Sequence, residues 1–342
     1  MKKLTKHLLI GLAAGAIALP ALAQEMPGEG KTVRFARSDS LGASYVQTEI
    51  LTKMMEDLGY DVDLTTIGMS AFFQAAAQGD LDMTGDINVP QRKPQYDTVA
   101  DRLALLGNGM IQGGGTNGYV IDKATAEKYD ITDVGQLKDP ELAKVFDSDG
   151  DGTANLANCD PGWSCGDVVE HQLKDFGLSD TVESIRAKYE PLMGEVFARY
   201  AQGEPVFYYT WAPSFVTEKL KPGEDVVWLP IPFDSLPEGV TSESGHEVAG
   251  VIGCAGGQDP CRMATGSWNW KIAANREFIA DNPAIVKLSE SVSWPLDQWS
   301  TWEVQMGESN TDRAIKAIAA EWIESNQDQY NAWVEAAREA AS

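Results

Sequence analysis

The sequence predicts a two-lobed α/β protein in which each lobe is a mixed, mostly parallel sheet flanked by helices and a ligand cleft lies between the lobes. Three observations predict it. Short strand-like and helix-like segments alternate over about 320 residues. No glycine-rich phosphate loop or dinucleotide fingerprint interrupts them. Aromatic residues gather at the carboxyl end of one strand, the edge at which open α/β sheets bind ligands.

The first 23 residues read as an export signal. Lys2, Lys3 and Lys6 precede an apolar run from Leu8 to Leu19, which is shorter than the ~18 residues a membrane span needs. Pro20 breaks the run, and Ala21-Leu22-Ala23 offers the small residues a signal peptidase accepts. The mature chain is therefore expected to begin at Gln24 and to be soluble in the periplasm, with no cysteine near the cleavage site to carry a lipid.

A β-α-β-α-β start follows. Lys31 to Arg37 alternates as a strand does, Ser44 to Leu58 is helical up to Gly59, and Tyr60 to Thr66 is extended. Phe72 to Gln78 is helical up to Gly79-Asp80, and Leu81 to Ile87 returns to strand. Further strands are expected at Gly118–Asp122, Pro205–Thr210, Val226–Pro230 and Lys271–Ala274, with helices around 125–129, 140–145, 167–176 and 193–202. Residues 234–267, rich in Gly, Pro and Ser, read as an ordered loop, and 281–340 as helices with Trp322 and Trp333 on apolar stripes. This order gives a discontinuous first lobe, 24–118 plus 267–342, and a second lobe, 119–266.

Charge and cysteines narrow the class. The signal holds three of the 27 basic residues and none of the 51 acidic ones, so the mature chain sets 24 basic against 51 acidic side chains, a formal charge of −27. That excludes nucleic acid and anionic lipid as partners, because both require basic patches. The four cysteines, Cys159, Cys165, Cys254 and Cys261, read as disulfides in an exported chain. Of the three connectivities, neighbour pairing is the simplest. Only His171 and His246 remain after processing, neither at a zinc-ligand spacing.

Catalytic motifs are absent: there is no G-x-S-x-G, no Walker loop and no H-E-x-x-H. The ten tryptophans are more telling. Trp163 lies inside the Cys159–Cys165 segment, just before a helix whose first N–H groups could face an anion. Trp211 ends the strand Pro205–Thr210. Indole faces attract a methylated cation by ~0.5–2 kcal/mol per contact, so two such rings beside anion donors suit a zwitterion. Trp228, Trp322 and Trp333 are assigned to the core.

Several stretches carry a resemblance: Leu58-Gly59-Tyr60; Ile121-Asp122-Lys123; Gln136 to Pro140; Phe146-Asp147 with Asp149 to Gly152; Pro161-Gly162-Trp163 with Cys165; His171-Gln172-Leu173; and Pro205 to Trp211. In these the chain resembles the periplasmic glycine betaine/proline betaine-binding proteins of osmoprotectant ABC transporters, over nearly the whole mature chain. The resemblance implies that Trp163 and Trp211 form walls of an aromatic box and that the backbone N–H groups of Ser164 and Cys165 hold a ligand carboxylate. It implies a membrane permease and a cytoplasmic ATPase as partners, no enzymatic activity, no cofactor and a monomer. Two positions depart from the pattern. Asn88 stands where the family has a third box tryptophan, and Arg92 where it has a carboxylate-binding histidine. Arg92 can still hold a carboxylate bidentately. Asp86 adds a negative charge, which favours a net-cationic or N-oxide ligand, and the replacement wall is expected among Trp268, Trp270, Trp294, Trp299 and Trp302, with Trp268 and Trp270 favoured because they follow the crossover.

Asp147, Asp149 and Asp151, with Gly152 and the carbonyl of Thr153, match the first half of a calcium loop, but position 12 is Asn158 rather than Glu; Asp160 is the candidate stand-in for a structural Ca²⁺. The expected ligand is a small methylated-ammonium or zwitterionic solute, with trimethylamine N-oxide, choline or a sensory binding role as alternatives.

Overall fold

The computed structural model describes residues 26–240, 242 and 245–342, so the expected export signal lies outside the described residues. Its strands, in chain order, are β1 (Thr32–Ser38), β2 (Asp61–Ile67), β3 (Met83–Val89), β4 (Leu103–Leu106), β5 (Thr116–Asp122), β6 (Ala154–Ala157), β7 (Val182–Ile185), β8 (Phe207–Ala212), β9 (Val226–Leu229), β10 (Glu247–Val248), β11 (Cys261–Arg262) and β12 (Asn269–Asn275).

Two five-stranded sheets share one plan. The first runs β2-β1-β3-β12-β4 and the second β7-β6-β8-β5-β9. In the first, β1 is parallel to β2 and β3, and β12 runs antiparallel to β3 and β4. In the second, β6 is parallel to β7 and β8, and β5 runs antiparallel to β8 and β9. The inverted strand in each sheet is the one that has just arrived from the other sheet. The two arriving segments meet: Gly115 N donates to Trp268 O at 2.7 Å and Trp268 N to Gly115 O at 3.0 Å. Only glycine fits at 115, because a Cβ there would lie 2.5 Å from the carbonyl oxygen of Ala212 and from the Trp268 ring.

Local sequence explains the elements that frame the sheets. The helix Met69–Gln78 buries Met69, Phe72, Phe73 and Ala76, the spacing of one helical face, and ends at Gly79 in the left-handed region, φ 82°. The helix Asp312–Ser325 likewise buries Ile315, Ile318, Ala319 and Trp322. That face joins a cluster of five indoles, Trp294, Trp299, Trp302, Trp322 and Trp333, with ring centroids 5.4–6.2 Å apart, in the core of the first lobe. Trp228 is buried in the second lobe. Among the described residues, no helix is long and apolar enough to cross a membrane.

Besides the short pair β10 and β11, three strands were not anticipated: β4, β6 and β7. Each is four residues long, too short to display an alternating pattern. The region 234–267 is not all loop. It contains the β10–β11 ladder, tied down by the Cys254–Cys261 disulfide. The other bridge joins Cys159 to Cys165, so both pairings are between neighbours.

Candidate functional site

Two strand ends aim side chains at one cavity. β3 stops before Pro90 and β8 before Pro213, since proline has no N–H for the next ladder rung. Asp86 and Asn88 sit two apart on β3 and share a face. Trp268 and Trp270 approach from the β12 side, and Trp270 pairs with Asn88 in register. From the second sheet come Asn117 on β5 and Trp211 on β8, themselves a register pair. The Cys159–Cys165 loop delivers Trp163, Ser164 and Cys165. All nine residues singled out from the sequence line this cavity, with Ser38, Ser40, Met69, Gln91, Asn117 and Tyr209 as additional lining. Its volume is about 70 Å³. A single water needs roughly 10–15 Å³, so the space suits a solute of a few heavy atoms.

The aromatic walls are interlocked. The rings of Trp163 and Trp211 meet edge to face at 5.8 Å, and those of Trp268 and Trp270 at 5.2 Å. Tyr189 stacks on Trp211 at 4.9 Å and is held by its hydroxyl, which donates to the Tyr209 carbonyl at 3.1 Å. Sequence reasoning missed Tyr189, which begins a helix 22 residues before Trp211. The signal available for Tyr209 was its place two residues before Trp211 on the same strand face.

Trp163 is the N-cap of the helix Ser164–Asp175, with extended backbone and no side-chain cap. Among the described residues, the N–H groups of Ser164 and Cys165 therefore have no backbone acceptor, and they stand at the positive end of the helix. Arg92 is buried and donates through Nη1 to Ser70 Oγ at 3.1 Å and Gln95 Oε1 at 2.9 Å. Burial lowers its pKa, against the pull of Asp39 and Asp167; with so high a starting value it stays cationic.

Asp86 is 1% exposed. Its Oδ2 accepts from Ser38 N at 2.7 Å, whereas Oδ1 accepts no hydrogen bond of good geometry. Burial pushes its pKa up to about 6, with the Ser38 N–H, Arg37 and the Ser44 hydroxyl pulling the other way. Beside the cavity, Trp211, Trp268 and Trp270 also border a small space closed by Glu303. Glu303 Oε1 accepts from Ala43 N at 2.8 Å, and the Phe215 N–H also bonds to the carboxylate, so one side chain ties the loop after β1 to the start of the helix after β8. Burial pushes its pKa up to about 7.

The acidic loop lies elsewhere. Carboxylate oxygens of Asp147, Asp149 and Asp151 converge within 4.8 Å, and each accepts backbone N–H groups of the loop itself. Asn158 does not face them. Its Oδ1 accepts from Cys159 N and its Nδ2 donates to Ser184 Oγ. Asp160 pairs with Lys188 at 3.1 Å, so the suggested stand-in ligand is engaged elsewhere.

Comparison with known proteins places this architecture. The family model described as the substrate binding domain of ABC-type glycine betaine transport systems matches residues 31–325. The chain is 36% identical over 321 residues to a glycine betaine-binding periplasmic protein of Dickeya dadantii, covering 93% of each. It is 33% identical over 336 residues to a glycine betaine/proline betaine-binding periplasmic protein of Salmonella typhimurium, covering 97% of this chain and 98% of that one. In fold it matches a glycine betaine, L-proline ABC transporter binding protein from Borrelia burgdorferi, with TM-score 0.68, 17% identity and coverage of 91% and 100%. Lactococcal OpuAC in its closed, glycine betaine-bound form gives TM-score 0.65, 16% identity and coverage of 89% and 99%. Those relatives are transport proteins and not enzymes, and this chain belongs to the same family, the substrate-binding domains of ABC-type glycine betaine transport systems.

Proposed function

We propose that this protein is the periplasmic solute-binding component of an ABC importer for a small methylated-ammonium solute of the betaine class. The observation that carries the reading is the convergence on one cavity of four indoles, Trp211 and Trp270 from the two sheets with Trp163 and Trp268 from the segments beside them, two helix N–H groups without a backbone acceptor and a buried arginine. The onium end would pack on Trp163, Trp211, Trp268 and Trp270, each contact contributing ~0.5–2 kcal/mol. The anionic end would take the N–H groups of Ser164 and Cys165 and the charge of Arg92. The relatives' names support a ligand of this type.

The lobes in this reading are 24–118 with 267–342, and 119–266, turning about the paired segments at Gly115 and Trp268. Cleavage after Ala23 releases a monomer, which docks closed on a membrane permease driven by a cytoplasmic ATPase. A Ca²⁺ held by Asp147, Asp149, Asp151 and the Thr153 carbonyl would be structural and weak, because the two remaining protein ligands are missing.

Calorimetry on the mature protein with glycine betaine, proline betaine, trimethylamine N-oxide, choline, carnitine and dimethylsulfoniopropionate tests the reading. At least one should bind with a dissociation constant well below about 1 mM; binding of none below that value removes the betaine class.

A further inference from the structure

The cavity holds more hydrogen-bond acceptors than a fully methylated onium can use. Asp86 Oδ1, Asn88 Oδ1 and Gln91 Oε1 are all buried, all belong to residues lining the cavity, and none accepts a hydrogen bond of good geometry among the described residues, although the Ser44 hydroxyl stands near the Asp86 carboxylate. Asp86 and Asn88 lie on one face of β3, and Gln91 follows the strand end. A buried acceptor without a donor is costly, and most so when it carries charge. Glycine betaine presents methyl groups around its nitrogen and no N–H or O–H anywhere. It would leave every one of these oxygens unpaired.

We propose that the solute this site prefers carries an N–H or O–H donor beside its methylated cationic centre, and that Asp86 Oδ1 receives it. The inference rests on the betaine-class reading above and narrows it to ligands such as incompletely methylated amino acids or hydroxylated onium compounds. Geometry gives Asp86 the role. One carboxylate oxygen is fixed by Ser38 N at 2.7 Å, which orients the side chain, and the other is buried with no hydrogen bond of good geometry, the Ser44 hydroxyl standing near the carboxylate. At neutral pH the group is an anion, since its pKa is pushed up only to about 6. It therefore offers both an acceptor and a counter-charge, and a charge-assisted hydrogen bond is stronger than a neutral one. Asn88 continues the same logic: where an indole would give only a π-face, its amide gives a polar partner for a polar ligand.

The test compares matched pairs by calorimetry on the mature protein. N,N-dimethylglycine, protonated at neutral pH, differs from glycine betaine by N–H in place of N–CH₃. Choline differs from its O-methyl ether by O–H in place of O–CH₃. The donor-bearing member of at least one pair should bind ~10-fold or more tightly than its methylated counterpart; which pair shows the gap tells whether the donor is nitrogen or oxygen. Asp86→Asn, which keeps the shape and an oxygen for Ser38 N, should bring that ratio to within ~3-fold while leaving the far-ultraviolet spectrum unchanged. The inference is overturned if wild-type protein binds the methylated member of both pairs at least as tightly, a result that needs no variant to fold. It is also overturned if the preference survives in Asp86→Asn. Tight binding of glycine betaine with no preference for donors sinks this inference alone; silence of all four ligands and of the wider panel sinks the betaine-class reading with it.

Discussion

Trp270 lies directly opposite Asn88 across the β3–β12 ladder, and both line the cavity between the sheets. A cross-strand pair places two side chains on one face at contact distance, so an indole on β12 can cover the ground that a ring on β3 would have covered. Trp270→Ala should weaken solute binding by ~10-fold or more, and adding Asn88→Trp to that variant should recover part of the loss. Unchanged affinity in Trp270→Ala, measured calorimetrically, would remove Trp270 from the cage.

Trp211 lines the cavity, touches Trp163 and is stacked on Tyr189. Trp211→Ala should reduce affinity by ~100-fold or more through the loss of one ring face and the freeing of its neighbours. Because the indole is only half-buried, the urea midpoint should shift little. Retained affinity in that variant would contradict the cage.

The Glu303 carboxylate predicts a pH dependence of stability. Its pKa rises from 4.5 unfolded to about 7 in the folded chain, chiefly by burial, with Glu218 adding repulsion and the Ala43 and Phe215 N–H groups opposing. A raised carboxylate pKa means that the folded state holds the proton more tightly. Stability should therefore fall as pH rises from 4.5 to 7 and level off above, by an amount on the order of 3 kcal/mol for this group. Asp86 acts in the same direction over a lower window, ending near pH 6. Urea unfolding of Glu303→Gln at pH 5 and pH 8 should show a smaller difference between the two than wild type does. An equal difference in both proteins would mean that Glu303 does not titrate there.

At the acidic loop, Ca²⁺ finds three converging carboxylates but no bidentate ligand. Binding should be in the millimolar range or weaker, and EDTA should leave the melting temperature unchanged. A chelator-induced fall of several degrees would make the ion an integral part of the fold.

Sequence legibility followed the range of the interaction. Trp163 and Trp211 could be found because each sits at a local landmark: a cysteine-flanked turn before a helix, and the carboxyl end of an apolar strand. Asn88 and Arg92 could be placed by counting from Gly79-Asp80 and Pro90 against the pattern of the family the chain resembles, with Asp86 beside them on the strand. Tyr189 could not, since only tertiary packing brings its helix under Trp211. The same holds for Glu303, whose partners Ala43 and Phe215 are remote in the chain and belong to different lobes. Nor does sequence spacing reveal that three acceptor oxygens lack donors. That is a property of the assembled cavity, where the count of donors and acceptors closes only in three dimensions.

Five tryptophans cluster in the first-lobe core, Trp228 is buried in the second lobe, and four line the cavity, of which Trp268 also belongs to the first-lobe core. Intrinsic emission therefore comes from a core set and a cavity set, which Trp268 joins. The five clustered rings, 5.4–6.2 Å apart, are close enough to pass excitation among themselves. None of the five lines the cavity, so their emission should change chiefly when the first-lobe core melts. The other lobe's Trp228 is likewise out of the ligand's reach, which leaves the four cleft rings to report occupancy. A solute titration followed by fluorescence will show a partial change on a constant background, and the size of that background measures the integrity of the core in the same cuvette.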